Sequence, residues 1–241
     1  MSTLPTLVRE LAKVDGRPLK TIDHVARLVR EAGFMPTGRP GRGAAQMDET
    51  AAANLIIGLN GCDAPRNAVK VIPIYRSLKS TGVARGDALF GFLNDIEAAE
   101  GFGEGLDIAI GAVPCLLRTV NEYILDAWKL EPGTEQAQIL MRQFCIGEGP
   151  AGFEVRLSRY FAEMALMVTD ASGAAETVWQ ARFYNMSENI KQPADETGIG
   201  RSVAVTLRFP MLLAASNAIR GFAGSYYSEA LQDLFELTDV N

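Results

Sequence analysis

Residues Leu11 to Val25 read LAKVDGRPLKTIDHV, and their spacing decides how the chain begins. Ala12 is a small residue on a first helix, Gly16 lies four positions on, and Ile22 and Val25 follow at six and nine residues from Gly16. Upstream, Leu4, Leu7, Val8, Leu11 and Val14 recur at helical spacing. DGRP (Asp15 to Pro18) then makes a turn in which Gly16 can take a positive φ. Downstream, TIDHVARLVREAG predicts a second helix that Thr21 can cap, with Ile22, Val25, Val29 and Ala32 inward and Gly33 as its stop. Two short helices therefore meet across a tight turn.

Outward from this unit, the runs FMP and AAQM flank TGRPGRG, a pattern that predicts a β-hairpin over about 34–47. DETAAANLIIGLNG predicts a helix from Asp48 to Asn60-Gly61. DAPRNAVKVIPIYRSL predicts another from near Asp63, bent or broken at Pro73. Residues 85–100 carry Leu89, Phe92, Leu93 and Ile96 on one helical side, and GFGEG (Gly101 to Gly105) predicts a loop. In Leu106 to Trp128 the run IAIGAV fits a buried strand, whereas the later part fits a helix. The last third alternates: FEVRLSR, then YFAEMALMV and ETVWQARFY around TDASGAA as a hairpin, then RSVAVTLRF. Two helices, at about 211–221 and 226–237, close the chain. The expected class is α+β, with a helix-turn-helix and wing at the N-terminus, a helical middle, and a C-terminal antiparallel sheet with helices. The corresponding segments are 1–47, 48–100 and 101–241.

Composition narrows the functional classes. An apolar fraction of 48% and a charged fraction of 22% are those of a soluble globular chain. The longest apolar run, Ile108 to Leu117, holds a glycine and a proline and falls well short of a membrane span. No leader pattern opens the sequence, and Cys62, Cys115 and Cys145 are odd in number and far apart, so a reducing cytoplasm is expected. Charge is uneven along the chain. Residues 1–85 hold 13 Lys and Arg against 7 Asp and Glu; residues 86–241 hold 10 against 22. A basic front and an acidic remainder predict that the front meets a polyanion.

The series Ala12, Gly16, Ile22 and Val25, with Leu11 and Thr21 beside it, resembles the helix-turn-helix family of bacterial and phage regulators. With the hairpin counted as a wing, it is similar to winged-helix regulators. Asp15 and Arg17 depart from the family, which has apolar residues around the turn glycine. The resemblance implies double-stranded DNA as partner, a recognition helix over about 21–32 and a wing over about 34–47. It also implies a two-fold homodimer, because paired half-sites multiply affinity.

On that reading Lys20, His24 and Arg27 share one helical face, and Thr21 stands at its start. Arg27 can fork onto a guanine and Asp23 can accept from a cytosine, while Arg17 and Arg30 suit phosphates. His24 suits either a base contact or plain solvation. Arg39 and Arg42, among glycines at the wing tip, suit a narrow minor groove or phosphates.

Enzyme motifs are not expected. GFGEG lacks GxGxxG spacing, TGRPGRG lacks the Lys-Ser/Thr of a P-loop, and no GxSxG occurs. The lone histidine leaves no base for a nucleophile and no metal-ligand set, so neither metal nor cofactor is expected. Cys145 reads as a small buried hydrophobe, and pairs such as Asp95 with Glu97 or Asp195 with Glu196 as ordinary surface acids. Met164, Met167 and Trp179 suit a core, a subunit contact or a small ligand pocket. The expected function is a sequence-specific transcriptional regulator, whose acidic C-terminal part sets oligomeric state or recruits a protein. The alternatives are a DNA-packaging protein with little sequence choice, or an enzyme tethered to DNA.

Overall fold

The computed structural model describes residues 3–38, 44–81, 91–158, 161–185 and 204–221. Helix α1 (Leu4–Asp15) buries Leu7, Val8 and Leu11 and ends at Gly16, whose φ of 80° places it in the left-handed region. Helix α2 (Leu19–Glu31) starts one turn earlier than expected, directly after Pro18. Thr21 therefore lies inside the first turn and makes no cap; its amide donates to Pro18 O. The inward stripe is Ile22, Val25, Ala26 and Val29, while Ala32 is already outside the helix and exposed. Gly33, at φ 83°, does stop the helix, with Gly33 N–H on Arg30 O and Phe34 N–H on Val29 O.

The runs expected to pair as a wing do not do so among the described residues. Positions 34–38 and 44–48 hold no strand. Met35 and Met47 are buried in the core instead, and Phe34 O accepts a 2.8 Å hydrogen bond from Asn54 Nδ2. Two runs this short, one ending in a proline that lacks a donor, gain more from burying their methionines than from pairing.

Helix α3 (Glu49–Asn60) follows as expected, capped by Asp48 Oδ1 accepting from Ala51 N at 2.8 Å. Every residue from Ala51 to Leu59 is buried, so the helix runs through the middle of the protein. Gly58 lets α2 close in: a Cβ there would lie 3.1 Å from Val29 Cγ2. A 3-10 turn (Pro65–Asn67) leads into α4 (Ala68–Arg76), which continues through Pro73 rather than breaking at it.

Helix α5 (Gly91–Ala98) precedes a second correction, because GFGEG is not a loop. It opens α6 (Phe102–Gly111), and its glycines mark close approaches. A Cβ on Gly101 would stand 2.5 Å from Arg76 O, and one on Gly103 2.7 Å from Arg76 Cγ. IAIGAV is helical too, since α6 turns by 74° into α7 (Val113–Trp128). Helix α8 (Glu135–Cys145), capped by Thr134, went unread in the sequence.

The alternating runs of the last third form strands. β1 (Lys79–Ser80), β2 (Ala151–Leu157), β3 (Phe161–Thr169), β4 (Ala175–Tyr184) and β5 (Val205–Arg208) make one antiparallel sheet in the order β1-β4-β3-β2-β5. Phe153, Val155, Met164, Leu166, Ala181 and Phe183 point from it into the core. Helix α9 (Phe209–Arg220) leaves β5 directly and packs on α1, α3 and α6. A single apolar cluster thus runs from Leu7 to Ala218, and the three segments expected from the sequence all contribute to it. The class is α+β, as the alternating and helical patterns required. The second closing helix expected at 226–237 lies outside the described residues.

Candidate nucleic-acid interface

Helix α2 holds its charged side chains on one outward face. Ile22, Val25, Ala26 and Val29 fix the opposite face to the core, leaving Lys20, Asp23, His24, Arg27 and Arg30 exposed and Thr21 half-buried. Lys20, His24 and Arg27, at three- and four-residue spacing, thus share an exposed side of the helix, and Arg30 is exposed further along it. His24 Nδ1 and Arg27 Nη2 are 3.3 Å apart, and Arg27 Nε lies 3.9 Å from Glu31 Oε1. An exposed pair of this length holds the guanidinium weakly and leaves it available to a stronger acceptor. The face carries Lys20, Arg27 and Arg30 against Asp23 and Glu31, so its charge is only slightly positive.

Arg17 is placed differently from the other cations. Its guanidinium donates to both carboxylate oxygens of Asp15, to Leu59 O, and to Asn60 Oδ1 at 2.8 Å. The Asp15 side chain is almost wholly enclosed, so the pair fills the turn between α1 and α2. These bonds tie the turn to the end of α3 and commit the side chain that a phosphate contact would need. Arg39 and Arg42 lie outside the described residues.

Other polar groups prove structural. Glu97 accepts from Trp179 Nε1 at 2.7 Å and so satisfies a buried indole. Trp179 and Met164 are core residues, and Met167 is half-buried. Cys145 is buried, and desolvation pushes its thiol up to about 12, which removes it as a nucleophile near neutrality. Asp195 and Glu196 lie outside the described residues. Among the described residues no group of three His, Cys, Asp or Glu is arranged to hold a metal ion.

Two constellations escaped the sequence reading. Arg76 forks onto Asp107 at 2.7 and 3.2 Å and reaches Asn54 Oδ1 at 3.1 Å, while Thr50 donates to Asp107 at 2.9 Å. That network pins α4, α3 and α6 together. On the outer face of the sheet, the buried Glu163 carboxylate sits between Arg182 at 2.8 Å and Arg156 at 3.2 Å. The register that aligns Arg156, Glu163 and Arg182 across three strands gives the pattern its reason, and alternation in FEVRLSR was its one sequence trace.

Compared with protein-family models, with curated proteins and with solved structures, the chain finds no match.

Proposed function

We propose that the chain binds double-stranded DNA through the outward face of α2 and acts as a transcriptional regulator. The observation that carries this reading is the division of α2 itself. Four apolar residues lock one side to the core, while Lys20, His24, Arg27 and Arg30 stand together in solvent on the other. A rigid helix carrying forked and single donors suits the acceptor-rich edges of the major groove. Asp23 and Glu31 on the same face dilute its positive charge, which favours base reading over sequence-blind packaging, where uniform cationic charge serves better. A homodimer would place two such faces on a two-fold site.

Fluorescence anisotropy on labelled duplex, repeated across salt concentrations, tests the reading. A variant carrying Lys20→Ala, Arg27→Ala and Arg30→Ala is expected to lose affinity and to flatten the salt slope by about one unit per phosphate contact removed. Unchanged affinity and slope would sink the proposal. Selection from a random duplex pool separates the two DNA readings. Enrichment of a symmetric site supports a dimeric regulator, whereas binding without enrichment points to packaging.

A further inference from the structure

Between the end of α1 and the start of α9 lies a cleft of about 690 Å³, within the range of sites that enclose small molecules. Its wall combines charge with exposed apolar surface. Three cations, Lys13, Arg17 and Arg208, face it against one carboxylate, Asp15, although the chain as a whole is acidic. Arg17 neutralises that carboxylate, and Lys13 is bonded to Glu10 at 2.5 Å. Arg208 is exposed, and its hydrogen bond to Gly147 O is a long one at 3.4 Å. Beside it lies apolar surface from Ile146, with half-buried Pro210 and Val205; Ile146 is nearly half exposed despite being a large aliphatic residue.

We propose that this cleft is a binding site for a small organic monocarboxylate with an apolar body. Arg208 would take the carboxylate, because a planar guanidinium fork matches a planar carboxylate better than an ammonium does. Ile146, Pro210 and Val205 would cover the apolar part. Inorganic phosphate fits less well: it brings a larger hydration cost and leaves the apolar wall wet. The cleft also adjoins Asp15 and Arg17, so its occupant would lean on the turn between α1 and α2. Ligand binding is read on the whole chain without DNA, so it succeeds or fails independently of the DNA reading.

Octanoate is the probe, with octan-1-ol as the tail without charge and inorganic phosphate as charge without a tail. Binding is followed by calorimetry and by protection of Cys62, which lines the cleft, against N-ethylmaleimide. The exposed Cys115 serves as the internal reference for labelling. Octanoate should bind and slow Cys62 labelling while leaving Cys115 unchanged; octanol and phosphate should do neither. Arg208→Gln should weaken octanoate binding by about tenfold or more, the loss expected of one charge-assisted contact. Ile146→Ser, at an exposed position where the fold has little at stake, should weaken it severalfold. The proposal is overturned if octanoate neither binds nor protects Cys62, if octanol or phosphate matches it, or if both variants bind octanoate as the parent does.

Discussion

Helices α2 and α3 are nearly equal in length and pack against each other, yet they serve opposite ends. α3 is apolar on every side and buried from Ala51 to Leu59, with Asn54 as its one polar residue there, bonded to Phe34 O and Arg76. α2 buries a single stripe and leaves charged residues in water. A helix enclosed on all sides is free to change little without loss of the fold. A helix enclosed on one side keeps the other free for a partner. Stability and recognition should therefore separate cleanly between the two.

The largest effect is expected at the centre of α3. Leu55→Ala should cost about 2–5 kcal/mol, the range for emptying a closed apolar site, measured as a shift of the urea midpoint at constant slope. A loss well below that would mean that α3 is not the axis of the core. Next in size is Arg17→Ala, expected to cost roughly 2 kcal/mol, because Asp15 is left buried with its strongest donors gone. The contrast with Arg30 is the sharper reading. Arg17 lies in the turn before α2 and Arg30 on α2 itself, but Arg30→Ala should leave the urea midpoint in place. The triple change Lys20→Ala, Arg27→Ala and Arg30→Ala should likewise stay within about 0.5 kcal/mol of the parent protein. If it destabilises as Arg17→Ala does, the outward face of α2 is holding the fold and the division between the helices is lost.

That division also explains what the sequence could and could not disclose. α3, the stripe of α2 and the β3–β4 hairpin were readable because each carries its own period and its own caps: Asp48, Gly33, and the Asp-Ala-Ser-Gly turn. The fate of Arg17 was not readable, because two of its acceptors, Leu59 O and Asn60 Oδ1, lie more than forty residues away. GFGEG misleads for a related reason. Its glycines serve contact with Arg76 rather than a turn, and nothing local distinguishes a glycine that bends the chain from one that admits a neighbour. Among the described residues the two runs of the expected wing form no strands, because Met35 and Met47 find burial in the core, a choice that tertiary packing makes over local pattern. Of the candidate face, Lys20, His24 and Arg27 were legible from helical spacing alone, whereas the cleft at Arg208 needed the packing of α9 against α1.

The smallest effect tests whether exposure always means freedom from a folding role. Asp170 is half-exposed in the turn between β3 and β4. Its carboxylate nevertheless accepts from Ser172 Oγ at 2.6 Å, Ser172 N at 2.9 Å and Ala174 N at 3.0 Å. These bonds, the Ser172 hydroxyl first and the Ala174 amide next, hold it below the ordinary carboxylate value. A group whose folded value is depressed adds stability above its unfolded value, and that stability is lost as pH falls through the folded one. Asp170→Ala should therefore lower stability slightly near neutrality, and the two proteins should converge as urea melts are repeated from about pH 6 down to about pH 3. A gap that persists undiminished in acid would assign the effect to turn geometry at Gly173 rather than to the charge. Asp170→Asn separates the two further, since it keeps an acceptor for the amides but cannot ionise. Its deficit is the charge-linked part and should vanish in acid, while any deficit that Asp170→Ala retains there belongs to the lost acceptor. A half-exposed carboxylate that behaves this way would show that a side chain reached by solvent can still serve the fold when backbone groups meet it, as none does at Lys20, Arg27 or Arg30 among the described residues.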